Sequence, residues 1–150
     1  MKKILSVLLA FALLCSLSGC ALLSYEDTNG DDDFTLQTLT DEDLIEGTND
    51  FSSLMSSRTS FKNTTTYKCQ KLSGIYTVCT KEPKNGTLEL TVSCTVKKGN
   101  ARLVLTSDSE ILHDFEVNAA DQHLVLDNLK GEVYLRFAGE SAEDVVVVAS

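Results

Sequence analysis

The chain has 150 residues, 43% of them hydrophobic, with one Pro, no Trp and a formal net charge of −9. That length suits one domain with a compact core, and the composition excludes low-complexity and collagen-like classes. Ten acidic residues and no Lys or Arg lie between positions 21 and 50, whereas positions 51–150 carry twelve acidic and eleven basic residues. A near-neutral body without a basic stripe argues against nucleic acid as a partner.

In chain order, Met1-Lys2-Lys3 makes a short positive start, and residues 4–14 are apolar except for Ser6. This length matches the apolar core of a secretory signal and falls short of the roughly 20 residues a spanning helix needs. The run closes on Leu17-Ser18-Gly19-Cys20. This quartet resembles the lipobox of bacterial lipoproteins. The resemblance implies cleavage before Cys20, a diacylglyceryl thioether on its sulfur and a further acyl chain on its new amine. Two or more chains anchor a protein stably where one does so only marginally. The implied location is a bacterial membrane, on the extracytoplasmic side, with residues 1–19 removed as a signal peptide.

Residues 20–58 read as a lipid-anchored tether. Clustered like charges repel, and few large apolar residues are present to drive ordering. Inside it, Thr40-Asp41-Glu42-Asp43 before Leu44 and Ile45 has the form of a capping box, with Gly47 placed to end a short helix. The acid run at residues 27–33 offers oxygen ligands to calcium. Gly30 comes too early for an EF-hand loop and no Glu stands at the twelfth position, so a solvated run is the simpler reading.

Residues 59–150 read as strands. An edge strand is expected near residues 64–71, where β-branched residues gather. Leu88, Leu90, Val92, Cys94 and Val96 alternate with polar residues, which is the period of a half-buried strand. Asn85-Gly86 marks a tight hairpin before it and Lys98-Gly99-Asn100 a turn after it. Leu103 and Leu105 share the face of the next strand. Ile111, His113, Phe115 and Val117 face one way, and Leu124 and Leu126 follow. Val133, Leu135 and Phe137 face inward opposite Tyr134 and Arg136, and residues 145–148 are apolar on both faces. The expected fold is all-β, a single antiparallel β-sandwich of seven or eight strands. Gly86-Thr87-Leu88-Glu89-Leu90, Lys98-Gly99-Asn100 and Gly131-Glu132-Val133-Tyr134-Leu135-Arg136 together resemble small extracytoplasmic bacterial β-sandwich modules, a group with no single activity.

Candidate chemistry is sparse. Cys69 and Cys79 lie symmetrically about Gly74, so a hairpin turning at Ser73-Gly74 would make them a disulfide pair; Cys79–Cys94 and no bridge are the alternatives. His113 and His123 fall on opposite kinds of face, which disfavours zinc shared with Asp114 or Asp121. No nucleophile elbow, zinc-protease motif or phosphate loop is present, and no cofactor is expected. Of Tyr67, Tyr76 and Tyr134, the last shares its outward face with Arg136, a candidate binding face. The expectation is a non-catalytic cell-envelope module that binds a wall polymer or a protein. The alternatives are a small envelope enzyme, an inhibitor of one, or a structural lipoprotein without a specific ligand.

Overall fold

The computed structural model describes residues 35–47 and 51–150. Cys20 and the acid run at residues 27–33 lie outside them. Among the described residues the elements are one short helix, α1 (Asp41–Glu46), and eight strands. These are β1 (Phe51–Leu54), β2 (Ser57–Phe61), β3 (Thr64–Lys81), β4 (Leu88–Thr95), β5 (Lys98–Thr106), β6 (Ile111–Phe115), β7 (Ala119–Leu126) and β8 (Val133–Ala149). Every pairing is antiparallel, and hydrogen bonds join all eight strands into one sheet, as expected of an all-β chain.

The two long strands, β3 of 18 residues and β8 of 17, form the spine. They pair from Thr65 opposite Ala149 to Lys81 opposite Val133. Along its other edge β8 takes β5 beside its first part and β4 beside its last four paired residues. The outer strands follow, with β6 on β5, β7 on β4, and β1 and β2 in succession on the far edge of β3. One large apolar cluster draws on both parts of the spine: Phe137, Leu135 and Val133 from one end of β8, Val145, Val147 and Ala149 from the other. Leu88, Leu90, Val92, Cys94 and Val96 all join it, so the alternation read in the sequence is the alternation of burial.

The middle of the spine explains the largest departure from expectation. Ser73-Gly74 does not turn. Gly74 has φ of 108°, a value open to glycine, and the register slips between Leu72 and Gly74, so the chain bulges and continues as β3. Gly74 sits opposite Gly139 of β8, where an added Cβ would press on Leu72 and Ala142 at about 3.0 Å. Cys69 and Cys79 therefore stand ten residues apart on one strand, on the order of 30 Å at ~3.3 Å per residue, and cannot be bridged within the chain. Cys69, Cys79 and Cys94 are all free and buried. The expected edge strand at residues 64–71 is instead the start of this central strand.

Smaller departures have similar causes. Asn85 and Gly86 do form a tight turn, both with positive φ, closed by Lys84–Thr87 hydrogen bonds of 2.9 and 3.0 Å. The strands on either side of it, β3 and β4, do not pair with each other. Lys98-Gly99-Asn100 opens β5 rather than turning; Gly99 passes so close to the Ser141 carbonyl that a Cβ would not fit. A slip between Leu105 and Thr106 sends Ile111 to the opposite face from Phe115, as a one-residue shift must. The segment expected to be covered on both faces, residues 145–148, buries Val145 and Val147 and leaves Val146 and Val148 half-buried; the part of β8 buried on both faces is Leu135–Gly139.

The tether also needs correction over its described part. Residues 35–47 pack on the sheet and residues 51–58 are largely strand, so the spacer reading does not hold for them. The helix itself starts and stops where the capping box and Gly47 predict. Thr40 caps it, with Asp43 N donating to Thr40 Oγ1 at 3.2 Å and Thr40 N donating to Asp43 Oδ2 at 2.8 Å. Gly47, in the left-handed region, ends it.

Candidate functional site

The outer face of β5 and β8 presents a second, smaller apolar cluster. Alternation on β5 turns Val104 and Thr106 outward, opposite Arg136 and Tyr134 of β8. Ala138 of β8, Ile75 of β3 and Ile111 of β6 complete the socket. Into it goes Leu44, fully buried, with Leu36 and Leu39 half-buried beside it. Residues 35–47 thus lie across the face as a strap.

Two arginines hold the two ends of the strap's helix. Arg102 of β5 donates from Nη1 to Asp41 Oδ1 at 3.0 Å, and from Nη2 to Asp114 Oδ2 at 2.6 Å. The hydrogen bonds to Asp114, with the one to Asp41, raise the Arg102 pKa above its ordinary value. Hydrogen bonds from the Thr40 backbone and side chain hold the Asp43 carboxyl below the ordinary carboxylate range. At the other end, the Arg136 guanidinium packs directly on Gly47, leaving no room for a Cβ there. No basic residue lies in the last turn of α1, so Arg136 supplies from β8 the positive charge that a helix C-terminus favours.

The docking is imperfect. Arg136 is 6% exposed, yet among the described residues its Nε and Nη1 have no hydrogen-bond partner, and Thr106 Oγ1 on the same face has none either. Burial lowers the Arg136 pKa. Burying Leu44 is worth about 1.5–3 kcal/mol. Leaving a buried donor unpaired costs about 1–3 kcal/mol, more for a charged group. The exposed Arg102–Asp41 pair adds roughly 0.2–1 kcal/mol.

The expected Tyr134–Arg136 pairing is present, with the guanidinium carbon 5.0 Å from the Tyr134 ring centre. It is not an open patch. Tyr134 is half-buried and Arg136 is sealed by Gly47, because the acidic segment read as spacer carries leucines that need cover.

The opposite situation holds on the far edge of β3. Every residue of β1 and β2 is exposed, and Leu54, Met55 and Phe61 are 57%, 72% and 72% exposed. Phe51 alone turns back, edge-on to Tyr76 at 5.0 Å, with Tyr76 stacked on Tyr67. Among the described residues β2 pairs only with β3, so its other backbone edge faces outward. This is an uncovered sheet edge carrying large apolar side chains, a template for another strand.

The remaining candidates lie apart. His113 stands edge-on to Phe115 at 4.7 Å, while His123 faces outward beside Thr91 and Glu89. Burial pushes the thiols of Cys79 and Cys94 up, the latter to about 11, which disfavours the reactive thiolate. A half-open cleft of about 580 Å³ is lined by Lys81, Glu82, Lys84 and Glu89 among others, and its mixed charge creates no single-sign field. Among the described residues no helix is long and apolar enough to cross a membrane.

No family model matches the chain, and neither a curated protein nor a solved structure is significantly similar to it. Sequence reasoning missed Arg102 and the bare edge as site features. Leu36, Leu39 and Leu44, spaced through an acidic run, were the available signal for the strap.

Proposed function

We propose that this chain is a lipid-anchored protein of the bacterial cell envelope, held outside the cytoplasm by acylated Cys20. Its strand body is a non-catalytic binding module, folded as a sandwich about the β3–β8 spine. The lipobox-like quartet supports the anchor. The observation that carries the binding role is the uncovered edge at β2, flanked by exposed Leu54, Met55 and Phe61. A monomer that kept such an edge without using it would risk edge-to-edge aggregation. Main-chain pairing supplies affinity there, and the exposed side chains select which extended segment of an envelope protein adds on.

Two measurements test the parts separately. Cys20→Ala should move the protein from the membrane to the soluble fraction; a variant that stays in the membrane sinks the anchor. A photo-crosslinking residue at Thr59 in living cells should give a discrete adduct, with none from the exposed control position Lys130. Equal labelling at both positions, or no adduct at Thr59, sinks the edge as the binding surface.

A further inference from the structure

We propose that the strand which adds to β2 is acidic: an extended peptide segment whose side chains alternate between apolar groups and carboxylates. The proposal rests on β2 being the binding edge and names the chemistry of its partner. Residues 51–81, which build β1, β2 and β3, carry Arg58, Lys62, Lys68, Lys71 and Lys81 and no acidic residue, on a chain of net charge −9. Around the start of β5 the basic side chains all have carboxylate partners. Lys97 meets Asp144, Lys98 meets Glu143, and Arg102 meets Asp41 and Asp114. Among the described residues Arg58, Lys62, Lys68 and Lys71 meet no carboxylate, and all four are exposed.

The backbone of β2 sets where the partner lies. The turn at Lys62 and Asn63 has two residues, so Phe61 and Thr64 form a hydrogen-bonded pair at its mouth. Alternation along the antiparallel ladder then aims the N–H and C=O groups of Ser57 and Thr59 at β3, and those of Arg58 and Ser60 outward. This stretch lies at the opposite end of the edge from Phe51, which pairs with Gly74. Donors and acceptors come by turns there. A peptide backbone satisfies both, whereas a phosphate polymer offers acceptors alone. The side chains alternate too. Arg58 stands beside Tyr67 on the face that covers the core, and Phe61 beside Thr64 on the other face. A strand laid along β2 therefore meets Arg58 with a carboxylate on one face and Phe61 with an apolar side chain on the other. Lys68, level with Ser57, and Lys62, over the Phe61 ring, extend the positive field along the edge. Main-chain pairing alone would accept any strand; the acid-free edge favours the acidic one.

The test uses the full chain in detergent and short labelled peptides that alternate valine with glutamate, glutamine or lysine, read by fluorescence anisotropy. The glutamate peptide should bind roughly ten-fold more tightly than the glutamine peptide, with the lysine peptide weakest and the preference shrinking in high salt. Arg58→Gln with Lys68→Gln should bring the glutamate and glutamine peptides level. Ser60→Pro removes an outward N–H and no bond to β3, so it should weaken every peptide. A backbone N-methylated glutamate peptide, of the same charge but without donors, checks that point on the unsubstituted chain and should also bind weakly. Equal affinity of the glutamate and glutamine peptides, or a preference that survives the double substitution, overturns the proposal. Tight binding by the N-methylated peptide overturns it as well, because charge alone would then suffice, as for a phosphate polymer or an anionic lipid surface. A Thr59 adduct in cells alongside equal peptide affinities would leave the edge as a binding surface and remove only its preference for acid.

Discussion

Two neighbouring pieces of chain, the strap at residues 35–47 and the edge strands β1 and β2, attach to the same sheet by opposite means. The strap attaches through side chains: Leu44 is buried, Arg102 clasps Asp41, and no residue of it joins a strand ladder. The edge attaches through backbone: β1 and β2 pair with nine residues of β3 in register, while their own residues stay exposed. Side-chain docking closes the face it lies on. Backbone docking leaves a fresh edge that another strand can extend. One spine thus offers two kinds of surface.

Both attachments depend on the shared core, so the largest effect is expected there. Phe137→Ala removes a fully buried ring from the central cluster and should cost about 3–5 kcal/mol, read as a lower urea midpoint. If stability barely moves, the spine is not what carries strap and edge. The next effect comes from Cys94, whose folded-state pKa is raised by burial to about 11 from an ordinary 9.0. The raised value means stability is fully present below pH about 9 and is lost as pH rises towards 11. The loss should be on the order of 2–3 kcal/mol, and Cys94→Ala should remove that alkaline dependence from the denaturation curves.

The comparison itself is sharpened by Leu44→Ala. Because the strap joins no strand ladder and packs at the outer face, global stability should fall by only about 1–2 kcal/mol, less than for a leucine of the central cluster. Hydrogen exchange should then show residues 35–47 unprotected and β3 and β8 still slow. Loss of protection throughout the sheet would show that the strap is part of the cooperative core. Asp41→Asn breaks one exposed ion pair and should cost under ~1 kcal/mol, with the difference fading in high salt. Smallest of all, Phe61→Ser should change stability by no more than about 0.5 kcal/mol, since the ring is 72% exposed. It should nevertheless weaken the adduct formed at Thr59. A large stability loss with unchanged crosslinking would reverse the roles assigned to edge and core.

Much of the strand pattern was legible beforehand. Period-two alternation marked the inward residues of β4 and β8, and Asn85-Gly86 announced its turn through a backbone requirement that few other residues meet. Ser73-Gly74 carried a similar signal and misled, because glycine's freedom at positive φ serves a bulge as readily as a turn. Which of the two forms depends on the strand alongside, here Gly139 of β8, a partner 65 residues further on. Tyr134 and Arg136 were rightly placed on one outward face. That the face is covered was not readable, since no local pattern says which distant segment will lie over it.

The sequence by itself determined the all-β class, the inward faces of most strands, the capped helix with its glycine stop, and the charge division between an acidic N-terminal part and a near-neutral body. These follow from spacing along the chain, where each residue's own geometry decides. Only the tertiary structure decided that β3 runs unbroken, that Cys69 and Cys79 stand far apart, that an acidic stretch straps down two arginines, and that β2 is left bare. Each of these turns on which remote strands share an edge or a face, and that choice belongs to the packing of the whole.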